Sequence, residues 1–147
     1  MKTCLTIVLS AATLGLSAQN VNVVNAYNYM GSGEYAKAAE YIEPATQDAK
    51  TSVNEKTWRY RGEIYRMIAM GEDASLKAMF PDAIDKAIDS YLKANELDTK
   101  GAYKTENMRA LNALQAQSLN TGNDAFTAKE YDKAIALYGN SERIAKA

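Results

Sequence analysis

The chain has 147 residues, 17 Lys and Arg against 18 Asp and Glu, no histidine and a single cysteine. A net charge of −1 brings no basic stripe, so nucleic acid is not an expected partner. Ordinary hydrophobic and charged fractions of 47% and 24% fit one globular domain.

Lys2, the apolar run Leu5 to Leu16 and the small residues Gly15, Ser17 and Ala18 read as a secretory signal over residues 1–18. Its core of about 12 residues is too short for a membrane span, which needs roughly 20. Cleavage after Ser17 or Ala18 removes Lys2 and leaves a net charge of −2 with no stable membrane span. Cys4 precedes the apolar core and is discarded with it, so the exported chain is expected to carry neither thiolate nor imidazole. Metal sites of Cys and His and nucleophilic devices of the Ser-His-Asp or Cys-His kind are thereby excluded.

Helices are expected almost everywhere. Apolar residues at 23/24, 27 and 30 give a helix over Val21 to Met30, broken by Gly31-Ser32-Gly33. A second helix runs from Glu34 to about Lys50, with Pro44 inside it to kink or shorten it. Ser52-Val53-Asn54-Glu55 matches a capping box opening a third helix, which reaches Met70 and stops at Gly71. Glu72 to Phe80 is irregular or a short helix. Pro81 suits the first turn of a helix ending at Leu97, and Asp98 to Gly101 is a turn. A long helix follows from Lys104 to Thr127, bent near Gly122, and a last one from Glu130.

Three of these helices open alike: Tyr35-Ala36-Lys37-Ala38, Ile84-Asp85-Lys86-Ala87 and Tyr131-Asp132-Lys133-Ala134. Self-similarity of this kind marks a repeat architecture. The units resemble the tetratricopeptide repeat. Trp58, Arg61-Gly62 and Tyr65 fall at the spacing of that family's first-helix Trp, Leu-Gly and Tyr, and Ala87, Tyr91, Ala94 and Leu97 continue its second helix. Unit one matches at Ala26, Tyr29, Tyr35, Ala38, Ile42 and Ala45, and unit three at Gly122, Tyr131, Ala134, Tyr138, Ser141 and Ile144. Departures are Asn22 and Asn25 at large apolar positions, Ser118 and Ala125 likewise, and Arg61, expected to face outward or pair with a carboxylate. The spacing differs too: Ala38, Ala87 and Ala134 lie 49 and 47 residues apart, against about 34 in the family. The resemblance implies an all-α fold over residues 19–147, a TPR-like α-solenoid of antiparallel helix-pair repeats with about three units.

In that family the first helices line a concave groove. The matching places here include Val23 and Tyr27, then Arg59, Glu63 and Arg66, then Asn120, Asn123 and Phe126. Tyr27, Arg59, Glu63, Arg66, Asn123 and Phe126 are the expected partner contacts, since Tyr and Arg bring area and fork-like hydrogen bonding. Arg59, Glu63 and Arg66 also read as an intrahelical salt-bridge row. The family's clamp for a terminal carboxylate is missing, because its places hold Val23, Tyr27, Tyr60, Ala116 and Asn120. Asp82, Asp85 and Asp89 share one face but lack a glycine-containing ligand loop, and Lys86, Lys93 and the helix N-terminus account for them.

The function implied is a non-enzymatic scaffold or adaptor, without cofactor or metal, that binds a peptide or helix in the groove. The signal, ending in Ser-Ala-Gln, is similar to those of Gram-negative exported proteins, especially of Bacteroidota. It implies a periplasmic, outer-membrane-associated or secreted protein of the cell envelope. The alternative is an N-terminal fragment or structural subunit of a larger repeat assembly. Such a subunit would self-associate as a homo-oligomer through an uncapped last helix bearing Tyr131, Ile135, Leu137, Tyr138 and Ile144.

Overall fold

The turns of the chain are written by short polar residues and by left-handed backbone positions, and the helices fill the space between them. The computed structural model describes residues 15–147, with side chains from residue 21 onward. The expected signal falls outside the described side chains and, through residue 14, outside the described backbone. Seven helices follow: α1 (Gly15–Gly31), α2 (Tyr35–Gln47), α3 (Glu55–Met70), α4 (Ala74–Met79), α5 (Ala83–Leu97), α6 (Lys104–Thr127) and α7 (Tyr131–Ala145). No strand occurs among the described residues, and no helix among them is long and apolar enough to cross a membrane.

Two turns are copies of each other. After α1, Gly33 takes φ +78° and the Glu34 N–H donates to the Tyr29 carbonyl at 2.9 Å. After α6, Lys129 takes φ +63° and the Glu130 N–H donates to the Ala125 carbonyl at 2.8 Å. Glu34 and Glu130 share nearly the same backbone, φ/ψ of −86°/61° and −84°/64°. Each pairs with the lysine three residues on, Lys37 and Lys133. The repeated sequence therefore encodes a repeated turn, although Lys129 occupies a left-handed position that costs a side-chain-bearing residue about 1 kcal/mol.

Three boundaries differ from the sequence expectation, each for a local reason. α2 ends at Gln47 rather than near Lys50, because the Asp48 carboxylate accepts the Lys50 and Thr51 N–H groups at 3.0 Å each and folds a turn. Pro44 stays within α2, in its last turn. α3 is capped by Asn54, whose side chain accepts from the Lys56 N–H at 3.0 Å, and not by Ser52. The Ser52 carbonyl instead accepts the Trp58 indole N–H at 2.7 Å. Pro81 lies just before α5, whose N-cap is Asp82. Residues 72–80 hold the short α4, opened by Asp73 accepting from the Ser75 and Leu76 N–H groups.

The helices associate as three pairs, α1 with α2, α3 with α5, and α6 with α7, and α2–α3 and α5–α6 contacts join the pairs. Small residues set the closeness of each pair. Ala26, Ala38, Gly62, Ala87, Gly122 and Ala134 are all buried. A Cβ at Gly62 would lie 3.1 Å from the Tyr91 ring, and one at Gly122 would lie 2.7 Å from the Tyr138 ring. Ile42, Ile64, Tyr65, Ile68, Ile88, Leu111 and Leu114 fill the main core, while Ala125, Ala134 and Leu137 form a smaller one beside Ile84.

Ion pairs stitch the pairs together. Arg61 does pair with a carboxylate: it meets Glu43 of α2 at 3.0 Å and donates to Ser90 of α5 at 2.8 Å. Tyr65 donates its hydroxyl to the same Glu43 at 2.6 Å. Asp85 and Asp89 of α5 are held by Arg143 of α7, with Asn140 donating to Asp85 at 3.0 Å. Lys86 does pair with Asp82, at 3.1 Å, but Lys93 pairs with Glu96. The acidic face is thus largely an inter-pair contact.

The two kinds of helical glycine predict opposite responses to alanine. Gly62→Ala gains about 1 kcal/mol of helix preference but pushes into a buried tyrosine, an overpacking cost of about 1–3 kcal/mol. Gly139→Ala meets nothing within 4 Å and keeps only the gain. Urea denaturation is expected to show the first variant destabilised and the second stabilised.

Candidate functional site

A groove of about 430 Å³ lies where α1, α3 and the first half of α6 face one another. α1 contributes Tyr27 and Met30, α3 contributes Arg59, Tyr60, Glu63 and Arg66, and α6 contributes Glu106, Asn107, Arg109, Ala110 and Ala113, with Tyr91 of α5 reaching in behind. Helical spacing explains the α3 set: positions 59, 63 and 66 fall on one face, which borders the buried Gly62 and turns away from the buried Ile64 and Tyr65.

Aromatic rings and guanidinium groups form one wall. Tyr27 stacks on Tyr60 with centroids 5.0 Å apart. The Arg59 guanidinium lies 3.9 Å from the Tyr103 ring and 5.2 Å from that of Tyr60, while its Nε donates to Glu55 at 3.2 Å. The expected Arg59–Glu63 link is replaced by Arg59–Glu55, while Glu63 is taken up by other partners.

The opposite link of the row is made. Arg66 grips Glu63 with two bonds, Nη2 at 2.6 Å and Nε at 2.9 Å, and the Tyr91 hydroxyl donates to Glu63 at 2.6 Å. Burial opposes the Glu63 charge, yet the bonds from Arg66 and Tyr91 outweigh it and hold the carboxyl below its ordinary value. Burial and the neighbouring Glu63 charge push the Tyr91 phenol up, and the Glu63 bond pushes Arg66 up against its own desolvation. All three move away from neutrality, the reverse of what acid–base catalysis requires.

The remaining charges in the groove are free. Glu106 and Arg109 are exposed, and neither makes an ion pair among the described residues. Beneath them the buried Asn107 donates to Asn95 at 2.9 Å and leaves its own Oδ1 without a donor. No cluster of three Asp, Glu, His or Cys among the described residues is arranged to hold a metal ion.

Of the six expected contacts, Tyr27, Arg59, Glu63 and Arg66 meet in this groove. Asn123 and Phe126 are not among its lining residues. Asn123 accepts the Tyr138 hydroxyl at 2.8 Å, and Phe126 is exposed with its ring edge-on to Tyr131. Val23 is buried in the main core. The displacement comes from α6, whose 24 residues carry an extra N-terminal stretch that faces α3 and α5, while its second half belongs to α7. Tyr60, Glu106 and Arg109 take the places that the repeat frame assigned further along. The signal for them is the unbroken helical period from Met108 through Leu111 and Leu114, which leaves 106, 109 and 113 on a common stripe.

No family model matches the chain, and neither a curated protein nor a solved structure matches it.

The Glu63 carboxylate makes a pH prediction. A carboxyl held low in the folded protein stabilises it above the ordinary carboxylate range, and that contribution is lost as pH falls through the depressed value. Glu63→Gln is expected to lower the melting temperature near pH 7 and to flatten its fall between about pH 7 and about pH 3. Thermal melts at the two pH values check this; parallel falls in both proteins would contradict it.

Proposed function

We propose that the chain is a tetratricopeptide-type adaptor that holds a peptide of a protein partner in the groove between α1, α3 and α6. The observation that carries this reading is the convergence of Tyr27, Arg59, Glu63 and Arg66, from two helices, on one open groove that also holds the unpaired Arg109. The Tyr27–Tyr60 stack offers rigid apolar area at low entropic cost, and Arg109 offers an unspent cation for a carboxylate. The preferred segment therefore carries an apolar or aromatic residue beside an acidic one. Repeated turns, small residues under tyrosine rings and three helix pairs support the repeat assignment.

Binding rather than catalysis is favoured by the groove's titratable groups, whose shifts lead away from neutral pH. Residues 1–18 support export, and with it a setting in the bacterial cell envelope, periplasmic, outer-membrane-associated or secreted. No cofactor, metal or nucleic acid enters this reading.

A peptide-display selection against the protein, followed by titration of the best peptide, tests it. Tyr27→Ala and Arg109→Ala are each expected to weaken binding about tenfold, roughly 1.4 kcal/mol. Phe126→Ala is expected to leave the affinity unchanged. Loss at Phe126 with none at Tyr27 and Arg109 would move the binding surface elsewhere.

A further inference from the structure

The second helix of each of the first two pairs gives one stripe to the pair that follows. In α2, Glu43 bonds Arg61 and Tyr65 of α3, and Ala39, one turn earlier on the same stripe, is buried. In α5, Asn95 bonds Asn107 and Met108 of α6, and Ile88, two turns earlier, is fully buried. The shared Lys-Ala register aligns Ile135 of α7 with Ala39 and Ile88, and Gly139 with Glu43. On α7 this stripe is open: Ile135 is 68% exposed, Tyr131 is 53% exposed, and a Cβ at Gly139 would meet nothing within 4 Å.

The complementary half of the contact is open on α1. The register of Ala26 with Gly62 aligns Val21 with Thr57, Val24 with Tyr60 and Asn28 with Ile64. On α3, Thr57 and Ile64 are buried, the intervening Arg61 reaches Glu43 of α2 and Tyr60 stacks on Tyr27 of α1, whereas on α1 Val21 and Val24 are half exposed. The same register aligns Tyr27 with Asn123 of α6. α1 bears no ionised side chain, so covering Tyr131 and Ile135 with it buries no charged side chain of that helix.

One chain thus carries both halves of the contact that joins its own pairs, each uncovered. We propose that copies of this protein stack head to tail, Val21 of α1 in one copy covering the Tyr131/Ile135/Gly139 stripe of α7 in the next and Val24 meeting the Asn123 face of its α6. Such a contact is heterologous: each copy keeps one free half, and association continues past two copies unless the rotation closes a ring. A two-fold α7–α7 contact would cover Ile135 but leave Val21 and Val24 bare. The proposal concerns surfaces outside the groove and stands independently of what the groove binds.

Sedimentation velocity of the purified protein over a concentration series up to its solubility limit reads this directly. The wild type is expected to form species larger than a dimer or a closed ring. Val24→Glu and Ile135→Glu, both at exposed positions, are each expected to be monomeric with unchanged helical circular dichroism. Mixed one to one, the two variants are expected to give a complex of two chains that grows no further, since the intact tail of one meets the intact head of the other. A wild type that stays monomeric overturns the proposal, and the faces then belong to another protein. Dimers of Val24→Glu alone overturn it in favour of a two-fold contact through α7, and a mixture that fails to associate overturns it as well.

Discussion

The approach of α5 to α3 at Gly62 is the contact on which the middle of the molecule depends. The Tyr91 ring lies against the glycine, so closely that even a methyl group there would be tight, and this places its hydroxyl beside Glu63. Glu63 is then fixed from two sides, by Tyr91 and by Arg66, and Arg66 is turned along the groove rather than into solvent. Helix spacing, core packing and the charge pattern of the candidate site thus share one origin. A bulkier residue at position 62 would separate the helices and also take the donor away from Glu63.

A parallel arrangement joins the first two pairs. Glu43 receives Arg61 and Tyr65 together, and Arg61 continues to Ser90, so that α2, α3 and α5 are tied at one partly buried node. Burial and the Glu43 charge push the Tyr65 phenol up, which keeps it a donor to Glu43 over the ordinary pH range. A guanidinium stands where the resemblance implied an apolar side chain. A buried charge with one partner removed is costly, so Arg61 and Glu43 are useful only together. The node therefore adds orientation: it fixes which turn of α2 meets which turn of α3.

Much of this was legible in the sequence, for identifiable reasons. Helix types and most ends follow from glycine and capping residues, and Lys104 and Thr127 bound α6 as the periodicity indicates. Tyr27, Arg59, Glu63 and Arg66 were expected together because the resemblance places them on one side of successive first helices, and they do line one groove. Asn123 and Phe126 lie apart from that groove because the first helix of the third pair starts at Lys104, well ahead of Gln115, the residue that the register of Gly122 with Gly62 aligns with Glu55 at the start of α3. Periodicity alone cannot say which half of a long helix meets which neighbour. The inter-pair bonds were invisible for a different cause. Asp85, Asp89 and Arg143 are far apart in sequence, and intrahelical lysines offered an equally good account of the same carboxylates.

The third pair also shows what the groove requires. Tyr138 repeats Tyr91: its ring lies over Gly122 and its hydroxyl bonds the residue after the glycine. There the acceptor is Asn123, not a glutamate, and no arginine stands three residues on, where Phe126 takes the place of Arg66. The same geometry thus carries a charged pair in the second unit and a neutral amide beside an exposed ring in the third. Tyr138 is also only partly buried, whereas Tyr91 is 3% exposed. An ionised Glu63 needs the arginine to offset its desolvation, and that need draws Arg66 onto the groove wall. Asn123 makes no such demand, so the surface bearing charges of both signs stays with α3 and the early turns of α6, while Phe126, Tyr131 and Ile135 leave the far end apolar. One packing motif, with a single change of acceptor, therefore divides the molecule into a charged face and an apolar end.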